Sequence, residues 1–162
     1  MKTRTIGIVI VVAVVAVAAV LMVVSRNSSG SASASGFEGQ VIAPGDFAVA
    51  DYAGKPLVVN MFGSWCPPCN AEAPDLAKFA QQNPDAQVVG IACEDTQKAA
   101  EDFMTQYGLT YPLVVDDGSQ VSQFGISAYP TTIFFDANGK EVDRLVGAST
   151  LDQFNASLAK AQ

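Results

Sequence analysis

Residues 56–74 read PLVVNMFGSWCPPCNAEAP, and the fold turns on how that stretch divides. Pro56–Phe62 is a short apolar run with β-branched residues between Gly54 and Gly63, the pattern of a buried strand. Cys69–Gln82 carries Ala73, Leu76, Ala77, Phe79 and Ala80 at helical spacing. Trp65-Cys66-Pro67-Pro68-Cys69 therefore stands where a strand hands over to a helix.

Two thiols three positions apart at a helix start can close a small disulfide ring, with only the first placed for attack by a partner. Cys66 is expected to be the exposed nucleophile at the helix N-terminus, where the macrodipole favours thiolate, and Cys69 the shielded resolving thiol one turn in. Pro67 and Pro68 lack an N–H, so the Cys69 N–H and the dipole are left to stabilise the Cys66 thiolate. The pair is accordingly expected to have a moderately lowered pKa and not to be an extreme oxidant. A purely structural bridge would close almost no loop. Structural zinc needs about four ligands, and a chain with three cysteines and no histidine could complete the set only with a carboxylate.

Beyond this stretch the strand-helix alternation continues. Gln87–Ala92 reads as a second buried strand and Thr96–Tyr107 as a helix, with Thr96 as N-cap, Glu101 and Asp102 on its outer face and Gly108 as its stop. A short strand at Leu113–Val115, a turn at Asp116-Asp117-Gly118 and a short helix at Ser119–Phe124 follow. Thr131–Phe135 and Glu141–Val146 read as a hairpin joined by the two-residue signal Asn138-Gly139, and Thr150–Ala161 as a closing helix with Leu151, Phe154 and Leu158 on one face. The order predicts an α/β domain with a mixed central sheet over residues 37–162. Its first crossover is long enough for a parallel βαβ unit.

The N-terminal part is a different object. Residues 1–35 carry Lys2, Arg4 and Arg26 and no acid, so +3 of the net charge of −7 sits there and −10 on the rest. Residues 6–24 are 19 positions without a charge or a hydrogen-bonding side chain. As a helix they would span about 28 Å, close to the hydrocarbon core of a bilayer. Residues 1–25 thus read as a signal-anchor with one transmembrane helix. Lys2 and Arg4 before the span place the N-terminus in the cytoplasm and the C-terminal domain outside the cell membrane. The A-x-A match Ala32-Ser33-Ala34 lies well downstream of the apolar run, which favours a retained anchor over a cleaved, secreted form. Residues 26–36, small and polar, read as a flexible linker reaching about 20 Å.

The absence of histidine excludes Ser-His-Asp and Cys-His catalysis and histidine-ligated metals. The acidic domain has no basic patch, which argues against nucleic acid as a partner. Trp65 reads as a docking surface beside Cys66. Cys93, followed by Glu94 and Asp95, reads as a buried free thiol at a strand end.

NMFGSWCPPCNAEAP, with GKPLVVN before it and AYPTTIFFDANGKEV after it, resembles the thioredoxin superfamily. More narrowly, it is similar to the membrane-anchored extracytoplasmic TlpA/ResA/DsbE-like thiol-disulfide oxidoreductases. The resemblance covers residues 37–162 and implies a thioredoxin-like fold with a redox-active Cys66–Cys69 disulfide and no cofactor or metal. It implies that Pro74 falls where the active-site helix bends and that Tyr129-Pro130 is a cis-proline loop facing the disulfide, contacting substrate together with Trp65. An ordinary trans proline at a strand start is the alternative. The 61 residues from Cys69 to Pro130 exceed plain thioredoxin, and the surplus around Thr96–Asp117 resembles the helix-strand insert of the TlpA-like group.

Asn60 stands where cytoplasmic thioredoxins bury an aspartate. Glu72 matches the acidic residue of the TlpA/ResA-like group, implying that it tunes the cysteines and accepts a proton as Cys69 becomes nucleophilic. The alternative is a solvated glutamate favoured by the helix dipole. The expected partners are cysteine-containing proteins, such as apocytochrome c in cytochrome c biogenesis, and a membrane redox donor or acceptor. A reductase is expected; an oxidase donating disulfides to exported proteins is the alternative.

Overall fold

The computed structural model describes residues 36–162; the expected signal-anchor of residues 1–25, with its span at 6–24, and the expected linker up to residue 35 lie outside the described residues. Among the described residues no helix is long and apolar enough to cross a membrane. The elements in chain order are β1 (Val41–Ile42), β2 (Leu57–Phe62), α1 (Pro67–Gln82), β3 (Gln87–Ala92), α2 (Gln97–Gln106), β4 (Leu113–Val115), α3 (Ser119–Phe124), β5 (Thr131–Phe135), β6 (Glu141–Val146) and α4 (Leu151–Leu158). Two 3-10 turns, Pro44–Asp46 and Val49–Tyr52, lie between β1 and β2.

The strands form one sheet in the order β1-β4-β3-β2-β5-β6. β2 pairs parallel with β3 and antiparallel with β5, so the sheet is mixed, as the sequence order predicts. β2 is buried at all six positions because both sheet faces are covered, and its side chains alternate between them. Val58 and Phe62 join one apolar cluster with α1, α2 and α4, whereas Leu57, Val59 and Met61 join a second with Phe47, Val121 and Phe124. Phe79 on α1 packs against Phe134 of β5 and Phe154 of α4, with ring centroids 6.4 and 5.6 Å away. All three rings are fully buried. Each is worth about 1.5–3 kcal/mol, so this trio clamps α1 and α4 onto the sheet. The helix and strand around Thr96–Asp117 are present as α2 and β4, and β4 is intercalated between β1 and β3.

Some expectations need correction. β1 and the 3-10 turns carry no periodic signal and are not legible in the sequence; two residues cannot establish an alternation. Asn138-Gly139 is not a two-residue turn but part of the loop 136–140. There the Asp136 carboxylate accepts from the backbone N–H of Asn138 at 2.8 Å and of Lys140 at 3.0 Å, an Asx turn that widens the hairpin. Glu101 does not lie on an outer face: it is buried and accepts from Gln97 Nε2 at 2.8 Å, whereas Asp102 is exposed. The closing helix starts as expected at a Thr150 capping box but ends at Leu158, before Ala161.

Candidate active site

Because β5 runs antiparallel beside β2, with Met61 opposite Thr131, the end of β2 and the start of β5 meet at one edge of the sheet. The segment after β2 holds Trp65, Cys66 and Cys69, and the residues before β5 are Tyr129 and Pro130. Strand pairing thus closes the long chain separation between the two segments, and the expected substrate-facing residues stand together. The Tyr129-Pro130 peptide bond is cis. Trp65 is exposed and meets the Tyr129 ring edge-on, with centroids 5.8 Å apart.

Cys66 is the N-cap of α1, and Pro67 and Pro68 fill the first turn, where a missing N–H removes nothing the helix uses. Cys66 and Cys69 are joined by a disulfide with Cα atoms 5.3 Å apart, and the Cys69 N–H donates to Cys66 Sγ at 3.3 Å. That donor is the one left by the double proline. Cys66 is not exposed in this oxidised form: only 3% of its surface is accessible, against 0% for Cys69. The closed ring draws its sulfur against the first helical turn, while Trp65, Pro67 and Pro68 around it face solvent. The turn is stapled by Asn70, whose Nδ2 donates to Ser64 O and Cys66 O at 3.1 and 2.8 Å and whose Oδ1 accepts from the Tyr107 hydroxyl at 2.9 Å. Nothing in the sequence marks Asn70 for this task. α1 continues across Pro74, which leaves the Asn70 carbonyl without its usual i+4 donor.

Glu72 points into the protein. It is 3% exposed, so the solvated alternative does not hold. Its Oε1 accepts from Asn60 Nδ2 at 2.8 Å and its Oε2 from the Ser149 N–H at 3.1 Å; Asn60 Nδ2 also donates to Thr132 Oγ1 at 2.9 Å. Burial pushes the carboxyl up to about 7, with those two donors opposing the shift. Asn60, whose position lacks an acid on the strand, thus holds an acid from the helix. Cys69 lies one turn before Glu72 on the same helix, the spacing at which side chains share a face. This arrangement can take up and release a proton near neutral pH beside the buried cysteine.

Cys93 is a buried free thiol, as expected, its pKa pushed up to about 12 chiefly by burial and then by Asp116. Among the described residues, no group of three or more Cys, Asp or Glu is placed to hold a metal ion.

Residues 31–142 match the AhpC/TSA family. The chain is 29% identical over 113 residues to the thiol-disulfide oxidoreductase ResA of Bacillus thuringiensis (strain Al Hakam), a match covering 68% of this chain and 65% of that protein. It is 31% identical over 115 residues to ResA of Oceanobacillus iheyensis, covering 68% and 59%. The chain therefore spans just under two thirds of the length of the curated relatives it matches. Among solved structures it is similar to a secreted Mycobacterium tuberculosis disulfide oxidoreductase homologous to Escherichia coli DsbE, at 32% identity and a TM-score of 0.64 over 70% of this chain and 87% of that one. StoA from Bacillus subtilis matches at 25% identity and a TM-score of 0.59, over 65% and 84%. The fold is thioredoxin-like.

Proposed function

The chain belongs to the AhpC/TSA family, and from that membership and the geometry at Cys66 we propose that it is a membrane-tethered, extracytoplasmic thiol-disulfide oxidoreductase acting as a reductase of protein disulfides. The observation that carries the reading is the Cys66–Cys69 disulfide at the start of α1, with the Cys69 N–H on Cys66 Sγ and the Tyr129-Pro130 loop before β5 at the same sheet edge. In the reduced protein, the Cys66 thiolate attacks one sulfur of a substrate disulfide, forming a mixed disulfide and releasing the first substrate thiolate. Cys69 then passes its proton to the Glu72 carboxylate and attacks Cys66 Sγ, which releases the second substrate thiolate. Two electrons move from the pair to the substrate, and Cys66–Cys69 is left oxidised. Trp65, Tyr129 and Pro130 form the surface on which the substrate segment lies.

The names of the ResA relatives support this class of activity. Within it we assign residues 6–24 to the membrane anchor, substrates to cysteine-containing exported proteins such as apocytochrome c, and the recharging of the pair to a membrane redox donor. The equilibrium potential of Cys66–Cys69 against glutathione tests the direction: a reductase is expected below about −220 mV, and a value near −120 mV makes the protein an oxidase.

A further inference from the structure

Of the three residues after β3, Glu94 and Asp95 each hold a different part of the active-site rim. Glu94 is the one described non-glycine residue with positive φ, at 51°, in the left-handed region. Its carbonyl accepts from the Trp65 indole Nε1 at 3.1 Å. Asp95 takes the neighbouring residue: its Oδ2 accepts from the Ser64 N–H at 2.7 Å and its Oδ1 from the Ser64 hydroxyl at 3.0 Å. Cys93, on the other side, is buried in the apolar cluster against which Tyr129 packs, and its thiol donates inward to Ile91 O at 3.5 Å. Ser64 and Trp65, the latter meeting Tyr129 edge-on, are therefore tied to two adjacent residues of one turn.

Resting on the oxidoreductase reading, we propose that Glu94 and Asp95 are positioning residues that hold Trp65 against Tyr129 as one rigid edge, and that they govern how well a protein substrate docks without taking part in the exchange at Cys66. The substrate is an extended polypeptide segment carrying the disulfide, because a small disulfide can reach Cys66 without lying along that edge. A rigid rim is worth affinity because a mobile one must lose its side-chain freedom when substrate binds.

The experiment uses Asp95→Ala, at the partly exposed end of the turn, which removes both acceptors of Ser64, and Asp95→Asn, which keeps one of them. Each is compared with wild type for reduction of insulin, a protein disulfide, and of dithionitrobenzoate, a small one. KM for insulin is expected to rise about fivefold in Asp95→Ala and to return towards wild type in Asp95→Asn, with the rate on dithionitrobenzoate within about twofold throughout. Trp65 is the chain's single tryptophan, so fluorescence anisotropy reads its mobility directly and is expected to fall in Asp95→Ala. An unchanged KM for insulin, or an equal loss on both substrates, overturns the proposal. If wild type reduces neither substrate, the oxidoreductase reading fails instead, and an unaltered anisotropy in Asp95→Ala still refutes the positioning claim.

Discussion

Glu72→Gln isolates what the buried carboxyl does to stability. The unfolded chain ionises Glu72 near its ordinary value of 4.5, whereas the folded protein holds the proton to about 7. A folded pKa that is raised gives stability that is complete below about 4.5 and lost as pH rises towards 7. At about 1.4 kcal/mol per unit, the difference predicts that wild type loses about 3 kcal/mol over that interval and then levels off. Asp117, Asp136 and Asp143 have carboxyls held below the usual range, so what they contribute is lost on the acid side, outside this window. The disulfide cysteines do not titrate in the oxidised protein. In the Glu72→Gln variant the new amide can still accept from Asn60, but it has one oxygen, so the Ser149 N–H loses its acceptor at a cost of about 1 kcal/mol. Urea denaturation of the oxidised protein from about pH 4.5 to about pH 8.5 measures both effects. Wild type is expected to fall by about 3 kcal/mol while the variant stays flat, starting about 1 kcal/mol lower at the acid end and finishing about 2 kcal/mol higher at the alkaline end. Parallel pH profiles would refute the burial argument for Glu72, and with it the idea that this group can exchange a proton near neutrality.

Two other substitutions read the scaffold. The Tyr111 hydroxyl is buried with no hydrogen-bond partner among the described residues, so Tyr111→Phe is expected to leave stability unchanged or raise it by about 1 kcal/mol in the same denaturation assay; a loss of about 2 kcal/mol would mean that the hydroxyl is satisfied. Thr150 caps the eight-residue α4 reciprocally with Gln153, so Thr150→Ala is expected to lower stability by about 1 kcal/mol with disulfide exchange intact.

The parts of this molecule legible in its sequence are those where one residue type has one physical use. The run PLVVNMF, apolar but for Asn60, suits a strand covered on both faces, and the cysteine pair with two prolines fits a helix start and little else. Thr150 and Thr96 announce their helices by capping them. The rest depends on contacts between residues distant in the chain. Asn60 reads in the sequence only as a missing aspartate; that it donates to Glu72 twelve positions away requires α1 to fold back over β2. Asn70 and Asp95 each act through partners set by loop geometry, Tyr107 and Ser64, and no spacing in the chain encodes those pairings. The expected exposure of Cys66 fails for a related reason: a helix N-terminus is usually open, but the closed disulfide packs the sulfur back onto it.

The chemistry proposed for this site stands on Cys66 being the attacking sulfur and Cys69 the resolving one. Cys69→Ser removes the resolving thiol while keeping a small polar side chain, and in reaction with a disulfide-bearing protein substrate it is expected to stop at the mixed disulfide. Peptide mapping of the trapped adduct identifies the sulfur that attacked. The substrate cysteine linked to Cys66, with Cys93 free, is the expected result; an adduct on Cys93, or no adduct at all, would show that the order of attack is wrong.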